Sequence, residues 1–154
     1  MKRLSRGFSL IELLIVVSII IILITIAVSS YSGFQKNSRD VKRQTDLKII
    51  QSALEQYHAD QSYYASNSAM VAATLSGLTS GLKTYLRVFP KDPKADSDLT
   101  FKYLYEASPS GCQNDPVLKN YCTGYRMCAK LETTPSGSIC SFDGSLNYEV
   151  TPQL

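Results

Sequence analysis

Two residues near the N-terminus stand out for the chemistry that their types and spacing would support. Gly7 ends a short basic segment, and Glu12 is the only charged residue in the apolar run from Phe8 to Val28. The basic residues of the segment are Lys2, Arg3 and Arg6. A carboxylate in such a run costs several kcal/mol unless a cation pairs with it. The pattern predicts a removable basic leader followed by a helix whose acid must find a partner.

The apolar run is long enough to cross a bilayer. At about 1.5 Å per residue, a helix from Phe8 to Val28 spans roughly 30 Å, the thickness of the hydrocarbon core. An ordinary secretory signal has a shorter core and a small-residue cleavage site, which Ser29-Ser30-Tyr31 does not provide. Since the basic residues precede the run, the N-terminus is expected in the cytoplasm and the chain after Val28 outside it.

The residues from Arg6 to Leu14, Arg-Gly-Phe-Ser-Leu-Ile-Glu-Leu-Leu, resemble the prepilin signal of type IV pilins and of the pseudopilins of type II secretion. The resemblance is strong to about residue 30. It is weaker along the helix to about Tyr64 and over Phe89–Pro93. It implies cleavage between Gly7 and Phe8 and methylation of the new Phe8 amine by a prepilin peptidase that is also an N-methyltransferase.

The resemblance also implies a role for Glu12, whose carboxylate would meet the Phe8 amine of a neighbouring subunit during assembly. Two other interpretations remain open. Glu12 would pair with its own Phe8 amine one turn away, or it would stay neutral and reach toward the lipid headgroups. Further implied partners are identical or related pilin subunits, an assembly platform with its ATPase acting indirectly, and membrane lipid before assembly.

The net charge of the chain and its lack of catalytic motifs reduce the number of function classes to consider. The chain has 16 basic and 13 acidic residues, and the leader holds three of the basic ones, which leaves 13 of each afterwards. The basic excess therefore belongs to the leader, and no nucleic-acid partner is inferred. The sequence contains no glycine-rich phosphate loop, catalytic triad or pair of catalytic carboxylates. We expect a protein that is not an enzyme and that uses no cofactor.

One helix is expected from Phe8 to about Ser62, because no proline occurs before Pro90. An apolar stripe along its second half should pack against a sheet or another helix, and it consists of Leu47, Ile50, Leu54 and Tyr57. The charged residues opposite are interpreted as a solvated face, with subunit contacts as the alternative; they are Arg39, Asp40, Lys42, Arg43, Asp46 and Lys48.

The remaining chain predicts a small antiparallel sheet. A connecting region with some helix is expected over 63–90, where leucines recur at helical spacing at positions 75, 78, 82 and 86, and Pro90 and Pro93 then break the chain. The predicted strands are Thr100–Tyr105, Tyr125–Leu131, Ser138–Phe142 and Asn147–Thr151. The expected fold is α+β, with the long helix packed on this sheet as in pilins. The predicted regions are 1–7 leader, 8–28 membrane and assembly helix, 29–62 amphipathic helix and 63–154 globular part.

Four cysteines in a domain outside the cytoplasm suggest two disulfides. Cys122 and Cys128 lie too far apart along one strand to pair. Cys128 and Cys140 flank a hairpin, which leaves Cys112 with Cys122, and we favour this arrangement. Zinc is disfavoured because the spacing holds no C-x-x-C pair and no nearby histidine, so no metal site is predicted.

The other residues that could bind a ligand are interpreted as surface or core residues. His58 is expected at the surface of the helix. Asp92, Asp96 and Asp98 resemble an acidic cluster but lack the pattern of a calcium loop, and a solvated loop is the simpler prediction. The ten tyrosines are expected to pack in the core of the sheet, with binding of DNA or a surface glycan by stacked rings as the alternative.

Three functions remain open. The first is a pilus subunit used in adhesion, motility or DNA uptake, and the second is a pseudopilin of type II secretion. The third is a membrane-anchored binding domain outside the cytoplasm. Each predicts a single-pass membrane protein with a cytoplasmic N-terminus; the first two then place it in a surface pilus or a periplasmic pseudopilus.

Overall fold

The computed structural model describes residues 8–134, 140 and 145–152. It contains two helices and five strands. In chain order these are α1 Leu10–Gln61, α2 Asn67–Ser76, β1 Leu78–Ser80, β2 Lys83–Leu86, β3 Leu104–Ser108, β4 Gly124–Ala129 and β5 Tyr148–Val150. The long helix followed by small antiparallel sheets confirms the α+β, pilin-like fold.

The chain divides into two compact units, an N-terminal unit, Met1–Asn37, and a C-terminal unit, Ser38–Leu154. The described part of the N-terminal unit is almost entirely helical. The C-terminal unit holds the remaining residues of α1 together with α2 and both sheets. The finer boundaries expected at residues 28 and 62 stay predictions.

Helix α1 begins two residues later and ends one residue earlier than predicted. Proline is absent throughout it, so no backbone donor is missing. At its C-terminal end Ser62 takes a left-handed conformation, with φ 65°, and its amide donates to the carbonyl of His58 at 2.8 Å. This backbone turn satisfies one of the last carbonyls of the helix.

The stripe predicted on α1 forms the core of the C-terminal unit. Leu47, Ile50 and Leu54 are no more than 1% exposed and lie in one cluster with Tyr125 and Met127 of β4. Tyrosine rings contribute to the same core, as expected. Tyr64 and Tyr125, for example, meet edge to face with ring centroids 4.9 Å apart.

The three-stranded sheet has the order β3-β4-β5 and is antiparallel throughout. Its strands correspond to three of the four predicted ones, with shifted ends. The predicted strand Thr100–Tyr105 is wrong over its first four residues, since β3 begins only at Leu104. Asp98 accepts hydrogen bonds from the Thr100 amide and hydroxyl, which hold Thr100 in a turn. The predicted strand Ser138–Phe142 lies outside the described residues except for Cys140.

The helical spacing of the four leucines is a wrong prediction for residues 78–86, which form a hairpin. Leu78 and Leu86 pair across β1 and β2, while Leu82 lies in the turn. Gly77 ends α2 in a left-handed conformation, with φ 84°, and a Cβ there would lie 2.3 Å from the Leu86 carbonyl oxygen. Only glycine allows this reversal, which converts the apparent helical period into a strand pair.

Both disulfides are present, and they join Cys112 to Cys122 and Cys128 to Cys140. This is the pairing favoured from the spacing. The four cysteines are at most 5% exposed. The ligand atoms of Cys128, Cys140 and Glu149 lie within 4.8 Å of one another. The two sulfurs are bonded to each other and therefore offer no thiolate to a metal.

Candidate processing and assembly site

The start of α1 is organised by a reciprocal hydrogen-bonded cap. Ser9 precedes the helix, and its hydroxyl oxygen accepts from the Ile11 amide at 3.3 Å. In return, the Glu12 carboxylate accepts from the Ser9 amide at 3.1 Å. This is a form of the Ser-x-x-Glu capping box in which the hydroxyl accepts from the second helical residue, not the third, and two of the unpaired amides at the helix start are satisfied. In the single chain, Glu12 therefore holds its own helix terminus.

The capping box gives Glu12 a local partner that was not among the interpretations drawn from the sequence. Those interpretations paired Glu12 with an amine or left it near the headgroups. The Ser9-x-x-Glu12 pattern was a readable signal for the cap. Since a negative charge near a helix N-terminus is favourable, the position of Glu12 also suits the helix dipole.

The polar side chains deeper in the apolar segment form hydrogen bonds with carbonyl groups of their own helix. The Ser18 hydroxyl donates to the carbonyls of Leu14 and Ile15 at 2.9 and 2.8 Å, and the Thr25 hydroxyl donates to the Ile22 carbonyl at 2.7 Å. Neither hydroxyl needs water or a partner helix. Glu12 is thus the one ionisable side chain between Phe8 and Val28.

The apolar side chains of this segment are exposed in the single chain. Phe8 is 84% exposed, and the most apolar stretch of α1 buries no residue. Among the described residues, α1 is the one helix long and apolar enough to cross a membrane. So large an apolar surface requires lipid or other helices around it.

The predicted processing position is only partly described. Gly7 and the basic leader lie outside the described residues, whereas Phe8 and Glu12 lie within them. Cleavage between Gly7 and Phe8, methylation of Phe8 and the assembly role of Glu12 stay predictions.

A second polar site lies in the C-terminal unit, where six charged residues form an ion cluster around Arg43. The cluster consists of Arg39, Asp40, Arg43, Asp92, Lys94 and Glu132. The Arg43 guanidinium is fully buried and donates to Asp92, Asp40 and Glu132 at 2.7, 2.7 and 3.0 Å. The ring of Phe101 lies 4.5 Å from the same guanidinium.

The cluster joins α1 to two loops. Arg39 makes a bidentate pair with Glu132 at 2.7 and 2.8 Å, and Lys94 adds a third contact to the same carboxylate at 3.0 Å. The Asp40 carboxylate accepts from the amides of Glu132 and Thr133. Helix, post-β2 loop and post-β4 loop are therefore held by one set of charge-assisted bonds.

The electrostatics of the cluster favour the ionised forms. Hydrogen bonds from Arg39, and then from Lys94 and Arg43, hold the pKa of Glu132 well below its usual value against the effect of burial. Burial also opposes the charged forms of Asp40 and Arg43, because it acts to raise the pKa of the carboxyl group and to lower the pKa of the guanidinium. Hydrogen bonds, chiefly from Thr133, nevertheless lower the pKa of Asp40, and the surrounding carboxylates, Asp92 first, raise the pKa of Arg43.

Two predictions are corrected by this cluster. The face containing Asp40, Arg43 and Asp46 is not solvated, since these residues are at most 4% exposed. Asp92 is likewise buried and does not belong to a solvated loop. The physical reason is that each charge meets partners from distant parts of the chain, which offsets its desolvation. Sequence spacing within the helix could not show those partners.

His58 is partly buried, and its ring stacks on Tyr64 with centroids 4.3 Å apart. The prediction of a surface histidine therefore holds only in part. The other two members of the acidic group, Asp96 and Asp98, are exposed.

Comparison with known proteins agrees with these features. The family model described as the prokaryotic N-terminal methylation motif matches residues 2–28. The type IV major pilin protein PilA of Myxococcus xanthus is 39% identical over 61 residues, which cover 40% of this chain and 28% of that protein.

Two further relatives match over a longer stretch. The type II secretion system core protein G of Dickeya chrysanthemi is 27% identical over 100 residues, covering 60% of this chain and 65% of that protein. The Vibrio cholerae protein of the same description is 29% identical over 101 residues, which cover 60% of this chain and 69% of that protein. The matches thus span less than a third of the pilin and about two thirds of the secretion proteins. No solved structure matches the chain.

The chain carries the prokaryotic N-terminal methylation motif over residues 2–28 and is similar to a type IV major pilin and to type II secretion core proteins.

Proposed function

We propose that this protein is a structural subunit of a type IV pilus-like filament. It is inserted in the membrane as a prepilin, cleaved after Gly7, methylated on Phe8 and polymerised through the N-terminal part of α1. The observation that carries the proposal is the exposed apolar helix that begins with the Ser9–Glu12 cap directly after a methylation-motif leader.

The capping box suggests how assembly is driven. In the single chain, Glu12 accepts from its own Ser9 amide, and we expect it to keep this cap in the membrane. On assembly, the apolar helix leaves lipid for a bundle of like helices, and the carboxylate exchanges its cap for the methylated Phe8 amine of a neighbouring subunit. A lost cap costs about 1 kcal/mol. A desolvated ammonium and carboxylate each cost several kcal/mol when alone, so pairing them favours the correct axial register.

A pseudopilin of a type II secretion system is the second candidate, and a specific observation favours it. The longer matches are to core proteins of that system, whereas the pilin match is higher in identity but shorter. Both candidates use the same helix, cap and processing step. They differ in the filament that results, a long surface fibre or a short periplasmic one.

The proposed partners follow from this scheme. They are the prepilin peptidase and N-methyltransferase, identical or related subunits, an assembly platform whose ATPase acts on the chain only indirectly, and lipid before assembly. The proposed location is the cell membrane with a cytoplasmic N-terminus and the C-terminal unit outside, followed by the filament.

The test is to express the chain with a prepilin peptidase and an assembly platform, shear the cells and examine the released material. We expect filaments by electron microscopy and, by mass spectrometry, a subunit that starts at a methylated Phe8. Long fibres on intact cells favour the pilus, and short fibres that need the secretion platform favour the pseudopilus. Processed protein that never enters a polymer would overturn both.

A further inference from the structure

Two tyrosine rings lie face to face at the surface of the C-terminal unit. Tyr63 follows the end of α1, and Tyr121 lies in the loop that the Cys112–Cys122 disulfide closes. The two ring centroids are 5.7 Å apart, and the ring planes meet at only 22°. Tyr121 is 37% exposed and Tyr63 is partly buried, so a solute can contact this stacked pair from the solvent.

Hydrogen bonds fix the backbone beside the two rings. The Tyr64 amide donates to the Cys122 carbonyl at 2.8 Å. The side-chain amide of Asn114 donates to the Tyr64 carbonyl at 2.8 Å, and its side-chain oxygen accepts from the Cys122 amide at 2.8 Å. The segments that carry Tyr63 and Tyr121 are therefore held side by side. Two reacting groups that are held in this way have a much higher effective concentration than free ones.

The tyrosine pairs in the core are protected. Tyr64 and Tyr125 are 4% and 1% exposed and meet edge to face, and both hydroxyls donate to the Glu55 carboxylate, at 2.8 and 3.0 Å. Tyr105 stacks on the same buried Tyr125, and its hydroxyl donates to the Ala65 carbonyl at 2.6 Å. A solute has no access to Tyr125, which both of these pairs share.

Tyr57 is the other neighbour of Tyr63. It is 8% exposed and meets the rings of Tyr63 and Tyr85 edge to face, at centroid distances of 6.2 and 5.3 Å. Within the part of the chain that the structure describes, the pair of Tyr63 and Tyr121 thus alone combines near-parallel tyrosine rings with an exposed member.

We propose that Tyr63 and Tyr121 are an oxidative modification site, at which hydrogen peroxide activated by a haem peroxidase joins the two rings as dityrosine within one chain. Each phenol loses one electron and one proton, and a carbon–carbon bond forms between the ring positions next to the oxygens. The hydrogens at those positions then move to the oxygens and restore both aromatic rings. Hydrogen peroxide takes up the two electrons and two protons and becomes two molecules of water.

The link would add a covalent connection that the disulfides do not provide. Neither disulfide includes a residue of α1, since both join residues after position 111. A bond from Tyr63 to Tyr121 would tie the end of the long helix to the loop after β3. Because a cross-link restricts the unfolded chain, the modified protein should unfold at a higher temperature than the unmodified one.

The test treats the detergent-solubilised full chain with a haem peroxidase and hydrogen peroxide. After reduction and trypsin digestion, we expect the peptides 49–83 and 120–126 to be joined, with a mass equal to their sum less two hydrogen atoms. Fragment ions should locate the link at Tyr63 and Tyr121, and the chain should still run as a monomer on reducing gels. The test uses the unassembled chain, so its outcome is independent of filament formation.

Single hydroxyl deletions identify the reacting rings. Tyr63→Phe and Tyr121→Phe keep the rings, and each should lower the yield of the intrachain link by at least about tenfold, because a coupling partner is lost. Tyr31→Phe is the matched control, since Tyr31 is 62% exposed but lies on α1 in the N-terminal unit. Tyr57→Phe removes the other neighbour of Tyr63. Both of these variants should give the wild-type yield.

Three outcomes would overturn the proposal. They are the absence of dityrosine in the wild-type chain, dityrosine found only between chains, and an intrachain link that persists in Tyr63→Phe or disappears in Tyr57→Phe. Near-UV circular dichroism checks that each variant is folded. If a variant is not folded, the fragment ions of the wild-type product decide, because a link at any other pair of tyrosines contradicts the assigned site.

Discussion

Arg43 of α1 and Asp92 of the loop after β2 form a bidentate ion pair in which both side chains are fully buried. The guanidinium donates through Nε to Oδ2 at 2.7 Å and through Nη2 to Oδ1 at 3.2 Å. The pair connects residues 49 positions apart in the chain. It fixes the loop after β2 against the helix, so it links the position of this loop to the stability of the C-terminal unit.

Replacing Asp92 by Asn should destabilise the C-terminal unit by about 2–4 kcal/mol, because the buried guanidinium loses a charged partner while keeping Asp40 and Glu132. The measurement is chemical unfolding of the detergent-solubilised chain, followed by near-UV circular dichroism. Asp96→Asn removes an exposed carboxylate from the same loop and should cost less than about 0.5 kcal/mol. Equal effects of the two substitutions would argue against a structural role for the buried pair.

The ion cluster should make the C-terminal unit less stable in acid. The folded-state pKa values of Asp40 and Glu132 lie below their usual 3.8 and 4.5. Their contribution is therefore fully present above about pH 5 and is lost progressively as the pH falls below the usual values. Thermal unfolding between pH 7 and pH 3 measures this. Glu132→Gln should start less stable and lose less on acidification. A wild-type melting temperature that stays constant over this range would contradict the linkage.

The two disulfides can be checked by peptide mapping without reduction. Trypsin separates the four cysteines into different peptides, 103–119, 120–126, 127–130 and 131–154. We expect 103–119 to be linked to 120–126 and 127–130 to 131–154. Reduction should release all four. A link between 120–126 and 127–130 would show a different pairing. Cys112→Ser with Cys122→Ser should cost about 2–4 kcal/mol of unfolding free energy.

Gly7→Ala, or a bulkier residue, should block maturation, because a side chain hinders the close approach of the peptidase to the backbone. Intact mass should show the seven leader residues retained and Phe8 unmethylated. Gly33→Ala is a suitable control, since a Cβ at Gly33 meets nothing within 4 Å, and it should mature normally. Normal maturation of the Gly7 variant would refute the assigned cleavage position.

Glu12→Ala should be cleaved and methylated normally but should give few filaments, because the neighbour's Phe8 amine loses its counter-charge. Ser9→Ala removes the capping hydroxyl and keeps the carboxylate, so it separates the cap from the charge. We expect its filament yield to stay well above that of Glu12→Ala. Both yields are measured on sheared material by immunoblot. Wild-type assembly of Glu12→Ala would rule out the pairing, and equal losses in both variants would assign the effect to the helix cap.

Local patterns in the chain were enough to predict α1 to within two residues, its buried stripe and the cysteine pairing found in the structure. These features depend on near neighbours, such as the absence of proline, the spacing of Leu47, Ile50 and Leu54, and the separation of Cys122 from Cys128. The Ser9–Glu12 cap has the same local origin and could have been predicted too.

The features that the sequence did not predict depend on contacts between residues far apart in the chain. Arg43 and Asp92 look like solvated charges in the sequence, and their burial depends on partners that only the folded chain brings together. The hairpin at 78–86 depends on Gly77 lying against the Leu86 carbonyl, a contact that helical spacing does not reveal. Short-range propensity and periodicity can be read directly from the order of the residues. The desolvation of a charge and the approach of one backbone to another are set by tertiary structure, because both depend on what lies across the core.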